Sequence, residues 1–447
     1  MKRSFVVLGG SGDLTGRLLL PSLAELYERG VLDGDVEVLA VSQQDWDDDA
    51  YRDWARQRLT AHAADLAEDA RERVVAQLGH QPGDVTSPDD LRRALERVDG
   101  VPVVYLALPN TVFLPALTAL REVGLPDGAR VVVEKPFGTG IEDAHELNEV
   151  LHGLVPEEAV FRIDHFLAKQ TVLNVLGLRF ANRVFEPVWN AQHVEAVDIV
   201  FDEDLGLEGR AGYYDKAGAL RDMLQNHLLQ LLAVVAMEPP QALDAATLQA
   251  RKADVLRAVQ AEVASSVRGR YTAGTIGSRE LPAYADEDGV DPARQTETYA
   301  EFTVTVENWR WSGVPFRLRT GKALGTKRKE IVVRFKPVPH LPFADEQPEP
   351  DVLRLQLSPD GIALEINLNG AGDPFDLERE VLRATSPEQE LPAYGLLLRE
   401  MLAGDPTLSI SDVEAEQGWR IVQPVLDAWA ADEVPLADYP AGSDGPA

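Results

Sequence analysis

The stretch Phe5-Val6-Val7-Leu8-Gly9-Gly10-Ser11-Gly12-Asp13-Leu14-Thr15 is an apolar run that stops abruptly on glycines. It reads as a buried strand closing on a tight turn. A helical pattern follows, with Leu19, Leu20, Leu23, Leu26 and Tyr27 on one side and Gly30 as its C-terminal stop. In a strand–turn–helix context, glycines let the backbone approach a pyrophosphate at a helix N-terminus. The spacing is not the usual G-x-G-x-x-G, so a plain strand-to-helix turn is the alternative.

Further along, strands over Val36–Val41, Pro102–Leu108 and Arg130–Val133 are separated by helical stretches rich in Ala, Arg, Asp and Leu. That alternation predicts a Rossmann-like, doubly wound parallel sheet, placed in a dinucleotide-binding domain over residues 1–165. From residue 166 the pattern changes. Val194–Phe201, Tyr299–Trp311, Pro315–Arg319, Glu330–Phe335, Val352–Leu357 and Ile362–Leu368 read as long strands, several with period-two alternation. Ser358-Pro359-Asp360-Gly361 joins the last two as a hairpin turn. Residues 166–447 are therefore expected to form an α+β domain with a large, mainly antiparallel sheet. Asp215–Val235 reads as one helix, and residues 441–447 are expected to be disordered.

Composition narrows the function. Asp and Glu number 74 against 43 Lys and Arg, a net charge of −31, which argues against nucleic acid and anionic membranes as partners. Any phosphate site must then be a local basic patch. Zero cysteines exclude disulfides and thiol nucleophiles. No apolar run approaches the roughly eighteen residues of a membrane span. Met1-Lys2-Arg3-Ser4 leads straight into a strand without a signal-peptide core. A cytoplasmic protein is expected, with no metal.

Three further segments carry chemistry. Ser42-Gln43-Gln44-Asp45 follows the second strand, where the adenosine ribose is met. No arginine stands there for a 2′-phosphate, and Asp47, Asp48 and Asp49 would repel one, which favours NAD over NADP. Glu134-Lys135-Pro136-Phe137-Gly138 closes a strand at the ligand-binding end of the sheet, with Lys135 able to reach cofactor and substrate. Arg162-Ile163-Asp164-His165-Phe166-Leu167-Ala168-Lys169 sets a carboxylate beside an imidazole and a lysine. Read with Asn226-His227, where a histidine interrupts an apolar helix, it suggests base catalysis on a phosphorylated substrate. An imidazole held by a carboxylate is the group expected to take a hydroxyl proton near neutral pH.

The blocks GGSGDLTGRLLLPSL, EKPFG, RIDHFLAKQ, GRAGYYDKAGALRDMLQNHLLQ, NWRWSGVPFRLRTGKAL and the strand after it run in order, within a stretch that extends from residue 5 to about residue 370. They resemble the glucose-6-phosphate dehydrogenase family, of which the chain looks like a diverged member. The resemblance implies oxidation of glucose 6-phosphate at C1 to the lactone, with hydride passing to NAD or NADP. It implies His227 as general base, oriented by Asp164. The phosphate would fall to His165, Lys169, Lys322 and Lys327, and the sugar hydroxyls to Lys135, Glu203 and Asp222. The cofactor side takes Gly9, Ser11, Gly12, Asp13, Leu14, Gln43, Pro109 and Lys135. A homodimer or dimer of dimers is the implied assembly.

The chain departs from the family pattern at Leu18, where a lysine is usual, at Phe166, where a tyrosine is usual, and at Gln43, where an arginine is usual. Ala168 and Gln170 depart as well. These departures keep two alternatives open: a paralogue oxidising another sugar or sugar phosphate, and a non-catalytic regulatory or scaffold homologue.

Overall fold

The computed structural model describes residues 3–32, 34, 36–343, 347–372, 375–385 and 389–446. The chain divides into two compact units. One comprises Met1–Lys169, Pro240–Ala250 and Gln389–Glu416, and the other Gln170–Pro239, Arg251–Glu388 and Gln417–Ala447.

The first unit is built on a seven-stranded sheet. Six strands, β1 (Arg3–Leu8), β2 (Glu37–Ser42), β3 (Leu78–Pro82), β4 (Val101–Leu106), β5 (Arg130–Glu134) and β6 (Val160–Ile163), pair in parallel in the order β3-β2-β1-β4-β5-β6. Phe5–Leu8 are buried because β1 lies at the centre, between β2 and β4, with both faces covered. That is why Phe5–Leu8 reads as an unbroken apolar run. The doubly wound expectation is met. The single boundary at residue 165 is corrected, because Ser409–Ile410 pairs antiparallel with β6 and brings a late segment into this unit. Two residues of strand carry no detectable sequence pattern, so the chain's return could not be read.

The second unit carries a nine-stranded mixed sheet. Its centre is β7 (Val194–Asp202), parallel to Phe316–Gly321 and antiparallel to Arg328–Phe335. Val352–Leu357, Asp360–Asn369 and Leu377–Thr385 continue antiparallel on one side. Tyr299–Val306, β8 (Val259–Thr272) and Leu436–Pro440 complete the other. The hairpin at Ser358–Gly361 is present, with a cis Ser358–Pro359 bond.

Two expectations fail here. The helix expected over Asp215–Val235 is three pieces: Ala211–Ala219, a π-wound turn over Leu220–Leu228, and Leu229–Ala236. Gly218, at φ +73° and ψ 171°, breaks it. The C-terminus is ordered through residue 446, because Ser443 accepts from the Gly325 N–H and Asp444 from Arg319 through their carbonyls. Among the described residues, no helix is long and apolar enough to cross a membrane.

Candidate active site

In the first unit the candidate residues gather at the C-terminal ends of the parallel strands, where open α/β sheets bind ligands. The turn after β1 is drawn tight by the Val41 carbonyl, which accepts from the N–H groups of Gly9 (2.9 Å) and Gly10 (3.1 Å). Gly9 has φ +88°, and a Cβ on Gly10 would lie 2.4 Å from that of Ala40. Both positions therefore require glycine. The Gly10 carbonyl accepts from the Tyr51 hydroxyl at 2.9 Å. Ser11 and Gly12 are half-buried and Asp13 exposed where the helix begins. This side-chain-poor turn at a helix start fits a dinucleotide pyrophosphate.

After β2, Gln43 is exposed and Asp47 caps the next helix by accepting from the Ala50 N–H. The nearby arginines are committed. Arg52 donates to the Leu78 carbonyl and pairs with Asp49, and Arg97 pairs with Asp48. Pro109, exposed, begins the helix after β4. Leu18 lines a surface cleft of about 300 Å³ with Arg17 and Tyr394.

After β5, the Lys135–Pro136 bond is cis and Lys135 is half-buried. Glu134 accepts hydrogen bonds from the hydroxyls of Tyr105 and Tyr394, and burial pushes its carboxyl above the ordinary range. After β6, buried Asp164 accepts the Phe166 N–H at 2.9 Å, which folds the segment into a tight turn. His165 packs against the rings of Phe166 (5.0 Å) and Tyr394 (5.9 Å). The Lys169 ammonium lies 3.9 Å from the Phe166 ring centre, a cation–π contact that Phe166 provides without a hydroxyl. Tyr394 was missed by the sequence reading. It lies more than two hundred residues from His165, and Ala393-Tyr394-Gly395 carries no local motif.

In the second unit His227 is buried on the π-wound turn. The Leu229 N–H reaches back to the Leu224 carbonyl, five residues away. This winding inserts an extra residue into the turn and re-aims the side chains on it. Asp222, on the same turn, accepts from the Tyr213 hydroxyl at 3.3 Å. The turn's first N–H, on Leu220, is capped by the Glu297 carboxylate at 3.0 Å. Burial raises the Glu297 carboxyl.

A second cluster joins the ends of three neighbouring strands. Glu203 pairs with Lys322 (2.7 Å) and with Lys329 (3.3 Å). Burial alone would raise the Glu203 carboxyl, but the two lysines outweigh it and hold it below its usual value. Lys329 also lies 3.9 Å from the Phe201 ring centre, and desolvation lowers its ammonium. Lys327, expected beside Lys322, is exposed, and Lys329 takes the place at the carboxylate. Side chains alternate across a strand, so two residues along restores the face. That period could have identified Lys329.

The strand order, the glycine turn and the polar groups along the sheet edge define a dinucleotide-dependent dehydrogenase. Residues 6–174 match the family model "Glucose-6-phosphate dehydrogenase, NAD binding domain", and residues 176–447 match "Glucose-6-phosphate dehydrogenase, C-terminal domain". The chain is 39% identical to a glucose-6-phosphate 1-dehydrogenase of Mycolicibacterium smegmatis, over 99% of this chain and 94% of the relative. It is 35% identical to that of Zymomonas mobilis, over 99% and 96%. A crystal structure of the Mycobacterium avium enzyme superposes with a TM-score of 0.88 at 34% identity, covering 100% of this chain and 96% of the other. A glucose-6-phosphate dehydrogenase in complex with its substrate does so with 0.91 at 30%, covering 100% and 95%. The chain belongs to the glucose-6-phosphate dehydrogenase family.

Proposed function

We propose that this chain oxidises glucose 6-phosphate at C1 to 6-phosphogluconolactone, with His227 as the general base. The observation that carries the reading is a buried imidazole sharing a π-wound turn with Asp222 in a chain of this family. His227 takes the C1 hydroxyl proton, and Asp164 orients its ring and stabilises the imidazolium that forms. The bound nicotinamide supplies the hydride acceptor. Gly9, Ser11, Gly12, Asp13 and Leu14 would hold its pyrophosphate, with Gln43, Pro109 and Lys135 meeting the rest. Lys135, Glu203 and Asp222 fix the sugar hydroxyls.

The 6-phosphate falls to His165, Lys169, Lys322 and Lys327, with Lys329 added. The Lys322–Glu203–Lys329 group has two cations and one carboxylate, so it keeps a positive charge for an anion while Glu203 accepts from a hydroxyl.

For the cofactor we infer that NAD is used at least as well as NADP. Gln43 can hydrogen-bond a ribose hydroxyl, while Arg52 and Arg97 are engaged elsewhere. We place the enzyme in the cytoplasm as a homodimer or dimer of dimers. Exposed Leu368, Val381 and Leu382 lie on the last two strands at one edge of the second unit's sheet and support self-association.

Steady-state turnover of glucose 6-phosphate and free glucose, each with NAD and NADP, tests the reading. Efficient use of the phosphorylated sugar alone is expected. Equal use of free glucose would remove the phosphate assignment, and strict NADP dependence would remove the cofactor one.

A further inference from the structure

The second unit contains a polar cavity of about 510 Å³ that the assigned reaction does not use. Four cationic side chains line it: Lys216, Arg221, Arg268 and Arg294. Three carboxylates share its wall. Asp432 pairs with Arg268 at 2.8 Å, Asp215 lies 3.5 Å from Arg294, and Glu297 caps Leu220. Lys216 and Arg221 have no carboxylate at ion-pair distance among the described residues. A pocket of this size suits a small metabolite. Arg221 acts on the Glu297 carboxyl through its charge without a direct ion pair. In a chain of net charge −31, four cations against three carboxylates at one polar cavity are a local reversal of the prevailing charge.

We propose that this cavity is an effector site for a small phosphorylated anion, separate from the sugar-phosphate site. Lys216 precedes the Gly218 break and Arg221 follows it, so an anion held by both would bridge the joint. Glu297, on the same wall, caps the first N–H of the turn that carries Asp222 and His227. A Cβ on Gly218 would lie 2.4 Å from the Glu297 carboxylate, so there is no slack between the cavity and the joint. Occupancy therefore acts on the placement of the turn. The inference that binding alters turnover rests on the proposed reaction, whereas binding itself does not.

Calorimetric titration of the full-length protein with inorganic pyrophosphate, under saturating glucose 6-phosphate, separates the two. Saturable binding is expected, weakened about tenfold or more by Lys216→Gln, as for loss of one charge-assisted bond. It should vanish in Lys216→Gln/Arg221→Gln and persist in Lys169→Gln. Lys216 is exposed, so the single variant tests the site even if the double variant unfolds. No binding, binding unchanged in Lys216→Gln, or displacement by glucose 6-phosphate would overturn the site. Saturation by pyrophosphate without a change in kcat or KM would overturn the coupling.

Discussion

The residues that do chemistry in this chain differ in how they announce themselves. Asp164, His165 and Lys169 interrupt an otherwise apolar segment, and His227 interrupts an apolar helix. Such positions stand out because burying a polar group has a cost that only a role or a partner offsets. His227→Asn should lower turnover roughly 10²- to 10⁴-fold with the fold intact. Steady-state kinetics beside a thermal melt checks this, and wild-type turnover would exclude the base. Lys329→Met removes one of the two cations at Glu203 and should raise KM for glucose 6-phosphate about tenfold, with kcat little changed. An unaltered KM would return Lys329 to a structural part. Tyr394 and Tyr213 had no comparable signal. Their partners Glu134 and Asp222 are acceptors met through tertiary or kinked contacts, and a lone tyrosine has many ordinary uses.

At the scale of elements, the strands were legible where burial imposes a pattern. Phe5–Leu8 of β1 and Val131–Val133 of β5 are unbroken apolar runs because both faces are covered, and Tyr299–Val306 alternates. β3, Leu78–Pro82, was missed because an edge strand need not be apolar, and its His80 is satisfied by Ser42 and the Trp46 carbonyl. The break at Gly218 was missed for another reason. Hydrophobic spacing persists through a kink, and the glycine alone does not say which φ it adopts. Gly218→Ala should destabilise by about 1–3 kcal/mol, since alanine disfavours φ +73° and its Cβ meets Glu297. Urea unfolding measures this; a neutral substitution would show that the joint yields. Glu297 adds a pH dependence. Its folded carboxyl is raised by burial, so the folded state holds the proton more tightly than the unfolded state. That contribution is complete below the unfolded value and is lost as pH rises through the folded one. Wild type should therefore lose stability relative to Glu297→Gln as pH rises from the ordinary carboxylate range. Parallel curves would refute the shift.

At the scale of the molecule, the acidic balance is itself a mechanical fact. A net charge of −31 opposes compaction, and salt screens it, with a Debye length falling from about 10 Å at 0.1 M to about 3 Å at 1 M. The melting temperature should rise between those concentrations of potassium chloride. A fall would mean that the surface ion pairs outweigh the repulsion. The division into units shows the limit of reading along a chain. A boundary near residue 165 follows from the change of pattern, but not the return of Ser409–Ile410 to the first sheet or the docking of Asp444 at Arg319. Residue order and local periodicity were enough for the nucleotide-binding sheet, the glycine turn and the family, because backbone sterics and burial act over a few neighbours. The partner of Glu203, the placement of Tyr394 and the break before His227 depended on the folded chain. Each is set by groups far apart in sequence, whose meeting is selected by the total packing energy and by no local preference.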